Sequence, residues 1–110
     1  QMNLDEVKIG NVLVLKPESR IDSQNSADFE QGVLKLTENE KSILLDFSGV
    51  EYISSACLRT LLTLTKKIKE QGGNIAITSL SDNVKQIFKV SGFDSILQIF
   101  EDKEQALSSF

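Results

Sequence analysis

The chain has no histidine and no tryptophan, and only one cysteine, one proline and one tyrosine. Without histidine, Ser–His and Cys–His nucleophilic catalysis and ordinary histidine-ligated zinc sites are excluded. Cys57 on its own cannot form an internal bridge, so nothing points to an oxidising compartment. Arginine is scarce, with Arg20 and Arg59 alone, and lysines are scattered among acids at a net charge of −4. Phosphate-backbone binding needs a concentrated basic face, so nucleic acid is a poor partner. Glycines never fall in the GxGxxG or GxxxxGK[ST] patterns that cradle phosphates. No apolar run approaches the ~20 residues of a membrane span. No membrane partner is expected, and a cytoplasmic protein is the expectation. No pair of carboxylates stands out as an acid–base couple. These absences together predict a non-enzyme with no cofactor and no metal.

What is present suits one folded unit over residues 2–110. The chain has 110 residues, 40% of them hydrophobic. At its mass of 12.2 kDa, area scaling gives a folded surface of ~6,000 Å² against ~18,000 Å² unfolded. That buries enough for one core without a disulfide or structural metal.

Val7 and Ile9 alternate with polar neighbours, and residues 12–15 are apolar after Gly10-Asn11. This predicts a β-hairpin, with Pro17 ending its second strand. Residues 18–25 read as a polar loop containing Ile21. Asn25 or Ser26 is expected to cap a helix whose buried stripe is Phe29, Val33 and Leu36. Residues 43–47 are nearly all apolar, as in a strand covered on both faces. A polar turn follows, then a helix with Leu58, Leu61, Leu62, Thr65 and Ile68 inward, stopped by Gly72-Gly73. Residues 75–78 read as a strand. Ser81 or Asp82 is expected to cap a short helix closed at Gly92. Residues 96–100 read as a last strand, and Asp102 begins a helix with Ala106, Leu107 and Phe110 on one side. The alternation implies an α/β fold with a mixed, mostly parallel sheet of four to five strands and helices mainly on one face.

Residues 46–62, DFSGVEYISSACLRTLL, carry the strongest functional signal. The strand ending at Asp46 leads through the turn to Ser54 and Ser55, which open the long helix. A hydroxyl on the first helical turn sits where free N–H groups and the helix dipole favour negative charge. Capping alone accounts for serine here; a turn beyond the carboxyl end of a parallel strand is also where ligands and partners meet α/β sheets. A thiolate at Cys57 could be stabilised by the same helix end, while packing is the simpler role. Asp46 either polarises the turn or accepts loop N–H groups. Arg59 reads as a solvated residue of the partner face.

These residues resemble the signature of the STAS family, the bacterial anti-sigma factor antagonists: a strand ending D-L-S, then D-S-[ST/A]-G-L-G and a leucine-rich helix. ESRIDSQNSADFE is similar to the family's G-[RE]-[LI]-D loop and first helix. KEQGGNIAITSLSDNVKQIFKVSGFDSILQIFEDKEQAL is similar to its later strand, S-G-[LF] and final helix. The resemblance implies the STAS fold and an antagonist that binds an anti-sigma factor. That partner is also a serine kinase of the histidine-kinase-like ATPase fold. Phosphorylation of the antagonist releases it, a PP2C-type phosphatase resets it, and sigma-dependent transcription is thereby regulated.

By the same resemblance the phosphoacceptor is Ser55, with Ser54 as second choice. The partner surface comprises Asp22, Ser54, Ser55, Ala56, Cys57 and Arg59, with Asp46 supporting the loop. Three positions depart from the family pattern. Ser54 stands for its aspartate, Ala56 for its serine or threonine, and Cys57 for its glycine. The alternative reading is a STAS scaffold or sensor that is not phosphorylated and binds a protein partner or a small ligand such as a nucleotide.

Overall fold

The structure is a computed structural model describing residues 2–110. Its accessible surface is 6171 Å², close to the value expected from mass. Seven strands and four helices follow in the order β1 (Asp5–Ile9), β2 (Val12–Lys16), β3 (Ser19–Ile21), α1 (Ser26–Leu36), β4 (Ser42–Asp46), β5 (Val50–Ile53), α2 (Ser55–Glu70), β6 (Asn74–Thr78), α3 (Asp82–Ser91), β7 (Ile99–Phe100) and α4 (Lys103–Ser108).

The main sheet has the order β1-β2-β4-β6-β7. β1 and β2 form the expected antiparallel hairpin, and β2, β4, β6 and β7 run parallel. Gly10 takes φ 59° in the hairpin turn, a conformation that side chains with a Cβ resist. The alternation of the strands sorts the core onto two faces. Leu13, Leu15, Ile43, Leu45, Ile75 and Ile77 pack with Phe29 and Val33 of α1, Leu61 and Leu64 of α2, and Phe88 of α3. Val12, Val14, Leu44 and Ala76 point the other way, against Ala106 of α4. Three helices therefore cover one face and a single short helix covers part of the other.

The helix ends follow local chemistry. Ser81 Oγ accepts the Val84 N–H and Asp102 Oδ1 accepts the Gln105 N–H. Past α2, the Gly73 N–H donates to the Ile68 carbonyl at 2.9 Å. A Cβ on Gly73 would lie 2.9 Å from the Lys41 carbonyl oxygen, so only glycine lets the chain pass β4 this closely.

Four expectations are corrected. Residues 18–25 are not all loop, because Ser19–Ile21 forms β3. The turn after Asp46 contains β5, and β3 and β5 pair in parallel as a separate two-stranded sheet. β3 is three residues long with one apolar side chain, and the four residues of β5, VEYI, do not alternate, too weak a pattern to read as a strand. The last strand covers only Ile99–Phe100. Residues Phe93–Ser95 make a 3₁₀ turn and Ile96 is 58% exposed. Asn25 occupies the α1 N-cap position without a side-chain cap; its amide is used elsewhere, as described next.

Candidate functional site

The parallel pairing of β3 with β5 brings together two segments far apart in the sequence. Arg20 is in register with Tyr52 and Ile21 with Ile53. Directly beyond, the Ser54 N–H donates to the Ile21 carbonyl at 3.0 Å. That bond fixes the start of α2 to the end of β3. The loop after β3 is tied in turn by Asn25. Its Oδ1 accepts the Asp22 N–H at 2.8 Å, and its Nδ2 donates to the Arg20 carbonyl at 2.9 Å. Spending both ends of the amide on this loop explains why it does not cap α1.

Asp22 Oδ1 accepts the Gln24 N–H at 2.9 Å, and Oδ2 lies 3.2 Å from Arg20 Nε. The Arg20 guanidinium sits over the Tyr52 ring, 5.1 Å from its centroid. With Ser23, Gln24 and Ser54 these residues line an open depression of about 480 Å³. Asp22 and Ser54 were expected on this surface; Arg20 and Tyr52 were not. The signal for them was faint: one of two arginines, and the only tyrosine, each in an unrecognised strand.

The two serines differ in what they do. Ser54 is the N-cap of α2, and its Oγ accepts the Ala56 N–H at 3.2 Å. Ser55 is the first helical residue, exposed, with no side-chain hydrogen bond among the described residues. The first turn of α2 holds no acidic residue, so nothing on the helix offsets the positive end of its dipole. Ala56 is half-buried beside them. Arg59 is exposed one turn further on, on the helix face it shares with Ser55 by the i, i+4 spacing.

Two expected residues lie apart from this surface. Cys57 is wholly buried, so its side chain is no partner contact. Burial pushes its thiol up to about 12, which keeps it neutral and rules out the thiolate reading. The bulk it adds relative to glycine goes into the core. Asp46 is also buried, and strand alternation turns it to the α4 face with Leu44. Its Oδ1 accepts the Ser48 N–H at 2.9 Å, and its Oδ2 lies 3.7 Å from Lys103 Nζ. It braces the base of the turn through the Ser48 N–H and faces Lys103 of α4.

The family model described as the STAS domain matches residues 3–106 of this sequence. The chain belongs to the STAS domain family. A Bordetella bronchiseptica protein provisionally named the anti-sigma factor antagonist BtrV is 29% identical over 110 residues, covering 99% of this chain and 95% of that protein. The anti-sigma-B factor antagonist of Bacillus subtilis is 22% identical over 103 residues, or 94% of each chain. The STAS fold itself is shared with the crystal structure of an anti-sigma factor antagonist from Mycobacterium paratuberculosis. That structure has a TM-score of 0.87 at 17% identity and covers 99% of this chain and 93% of its own. The mixed five-stranded sheet with four helices is thus the STAS architecture, as the sequence resemblance implied.

Proposed function

We propose that residues 2–110 act as one STAS unit, an anti-sigma factor antagonist that works in the cytoplasm by binding rather than by catalysis. Its partner is an anti-sigma factor that is also a serine kinase of the histidine-kinase-like ATPase fold. Phosphorylation of Ser55 releases that partner, a PP2C-type phosphatase restores the binding form, and sigma-dependent transcription follows. The names of the relatives support the antagonist role. One observation carries the choice of acceptor. Ser55 offers an exposed, unengaged hydroxyl, whereas the Ser54 hydroxyl is engaged in capping α2.

The mechanism is electrostatic. A phosphate adds about −1.5 to −2 charges at pH 7 beside Asp22, on the surface that the partner covers. Inside a tight interface, even ~1.4 kcal/mol of repulsion or lost contact is a tenfold loss of affinity. No rearrangement of the fold is required.

The test combines phosphorylation with binding. Incubation with the cognate kinase and ATP, followed by mass spectrometry, should place phosphate on Ser55. Ser55→Ala should bind the kinase tightly and Ser55→Asp weakly. Phosphate on neither serine despite tight kinase binding would refute the switch. Equal affinities of the two variants would favour the unphosphorylated scaffold, the reading for which Ser54 in place of the family's aspartate speaks.

A further inference from the structure

Among the described residues β1 is the outer strand of the main sheet, paired only with β2, and all five of its residues, DEVKI, are exposed. The turn joins Ile9 to Val12 through two residues, so the closing pair is hydrogen-bonded and the pattern alternates from there. The peptide groups of Asp5, Val7 and Ile9 are therefore directed to β2, and those of Glu6 and Lys8 to the free edge. Side chains alternate as well. Val7 and Ile9 are in register with Val14 and Val12, so they lie on the face that α4 covers in part. There they remain 50% and 38% exposed. Glu6 and Lys8 lie on the opposite face.

An open strand edge is ordinarily protected by charge, and two of the outward-directed residues here are charged. Antiparallel pairing of this strand with a second copy of itself can be centred on any of its residues. Centring on Glu6 sets Glu6 against Glu6, and centring on Lys8 sets Lys8 against Lys8. Centring on Asp5 opposes the aspartates, and centring on Ile9 runs Lys8 into the hairpin turn. Centring on Val7 alone sets Glu6 of each copy opposite Lys8 of the other, twice. It also makes Val7–Val7 a pair without mutual hydrogen bonds, in which side chains approach most closely. The outward-directed peptide groups of Glu6 and Lys8 permit this register, and the charges select it among the residue-centred ones.

The geometry points to a second copy of this chain as the partner of the β1 edge, joined antiparallel about Val7. The two five-stranded sheets become one continuous sheet. Lys8 Nζ, which holds Glu40 Oε1 at 2.6 Å, then stands between Glu40 and Glu6 of the other copy. The paired surface is small, so the dimer is weak and forms at high protein concentration. Because the strands cross antiparallel, the two Ser54-Ser55 turns face opposite ends of the dimer, and each copy keeps its own site open.

Sedimentation equilibrium of the 110-residue chain from micromolar to millimolar concentration reads the association directly. The wild type should shift toward twice the 12.2 kDa monomer mass. Glu6→Lys and Lys8→Glu should each associate at least about tenfold more weakly, because both cross-strand pairs become like-charged. An equimolar mixture of the two variants should recover the association, since each then supplies the charge that the other lacks. Circular dichroism confirms that both variants fold. A wild type that stays monomeric at millimolar concentration overturns the proposal. Variants that associate as well as the wild type, or a mixture that fails to recover, overturn it too.

Discussion

The guanidinium of Arg20 rests over the ring of Tyr52, 5.1 Å from its centroid, and this contact joins β3 to β5 at the depression beside Ser54. The Arg20 side chain is 62% exposed although it also pairs with Asp22. An exposed ion pair contributes little to stability, whereas arginine and tyrosine carry disproportionate energy once a partner covers them. Arg20→Ala should therefore shift the urea midpoint by less than about 1 kcal/mol in stability. Affinity for the proposed anti-sigma kinase, measured by calorimetry, should fall at least about tenfold, the loss typical of a residue central to an interface.

Ser54 and Ser55 should separate in stability as they do in role. Ser54→Ala removes the acceptor for the Ala56 N–H and should cost ~1 kcal/mol in chemical denaturation. Ser55→Ala removes a hydroxyl with no hydrogen bond among the described residues and should stay within about 0.5 kcal/mol of the wild type. Comparable losses in both would refute the division between a capping serine and a free one.

Cys57 gives a pH signature. Its thiol titrates near 9.0 when exposed and at about 12 in the fold. Below pH 9 both states hold the proton, and the stabilisation is complete. As pH rises from 9 toward 12 the unfolded chain loses the proton first, so stability falls. At pH 10 the loss from this group is about 1.4 kcal/mol. Urea unfolding at pH 7.5 and pH 10 should show a larger drop for the wild type than for Cys57→Ala. The thiol should also resist alkylation until the chain unfolds.

Asp46 should affect the scaffold and leave the chemistry at Ser55 alone. Asp46→Ala removes the acceptor for the Ser48 N–H and the partner of Lys103, costing ~1–2 kcal/mol. Asp46→Asn retains an acceptor and should cost less. Neither should change the rate of the proposed phosphorylation of Ser55, as followed by phosphate incorporation.

The hairpin, the two central strands, the four helices and the stops at Gly72, Gly73 and Gly92 were legible because each rests on a strong local signal. Apolar period, capping side chains and glycine punctuation act over a few residues. β3 and β5 escaped because neither has a pattern of its own; they exist as strands by pairing with each other across the sequence. That pairing builds the depression beside Ser54, and Arg20 and Tyr52, which the two strands contribute to its lining, were invisible to local reading. Asn25 misled for a related reason. Its side chain suits an N-cap, but two backbone groups of the Arg20–Asp22 loop compete for it and win. Cys57 and Asp46 lay close to the serines in sequence, yet helix rotation and strand alternation turned both inward.

α4 buries only Ala106 of its six residues and reaches the rest of the fold mainly through β6, β7 and β4. Its detachment uncovers the small cluster of Val12, Val14, Leu44 and Ala76, while unfolding the opposite face would uncover the larger one that includes Phe29, Leu64 and Phe88. In hydrogen exchange the amides of α4 should open at a fraction of the global free energy, followed by the β7 ladder, with β4 the slowest. The two sides of one sheet thus melt on different timescales: a labile flap on one side, and on the other the rigid bed that fixes the start of α2.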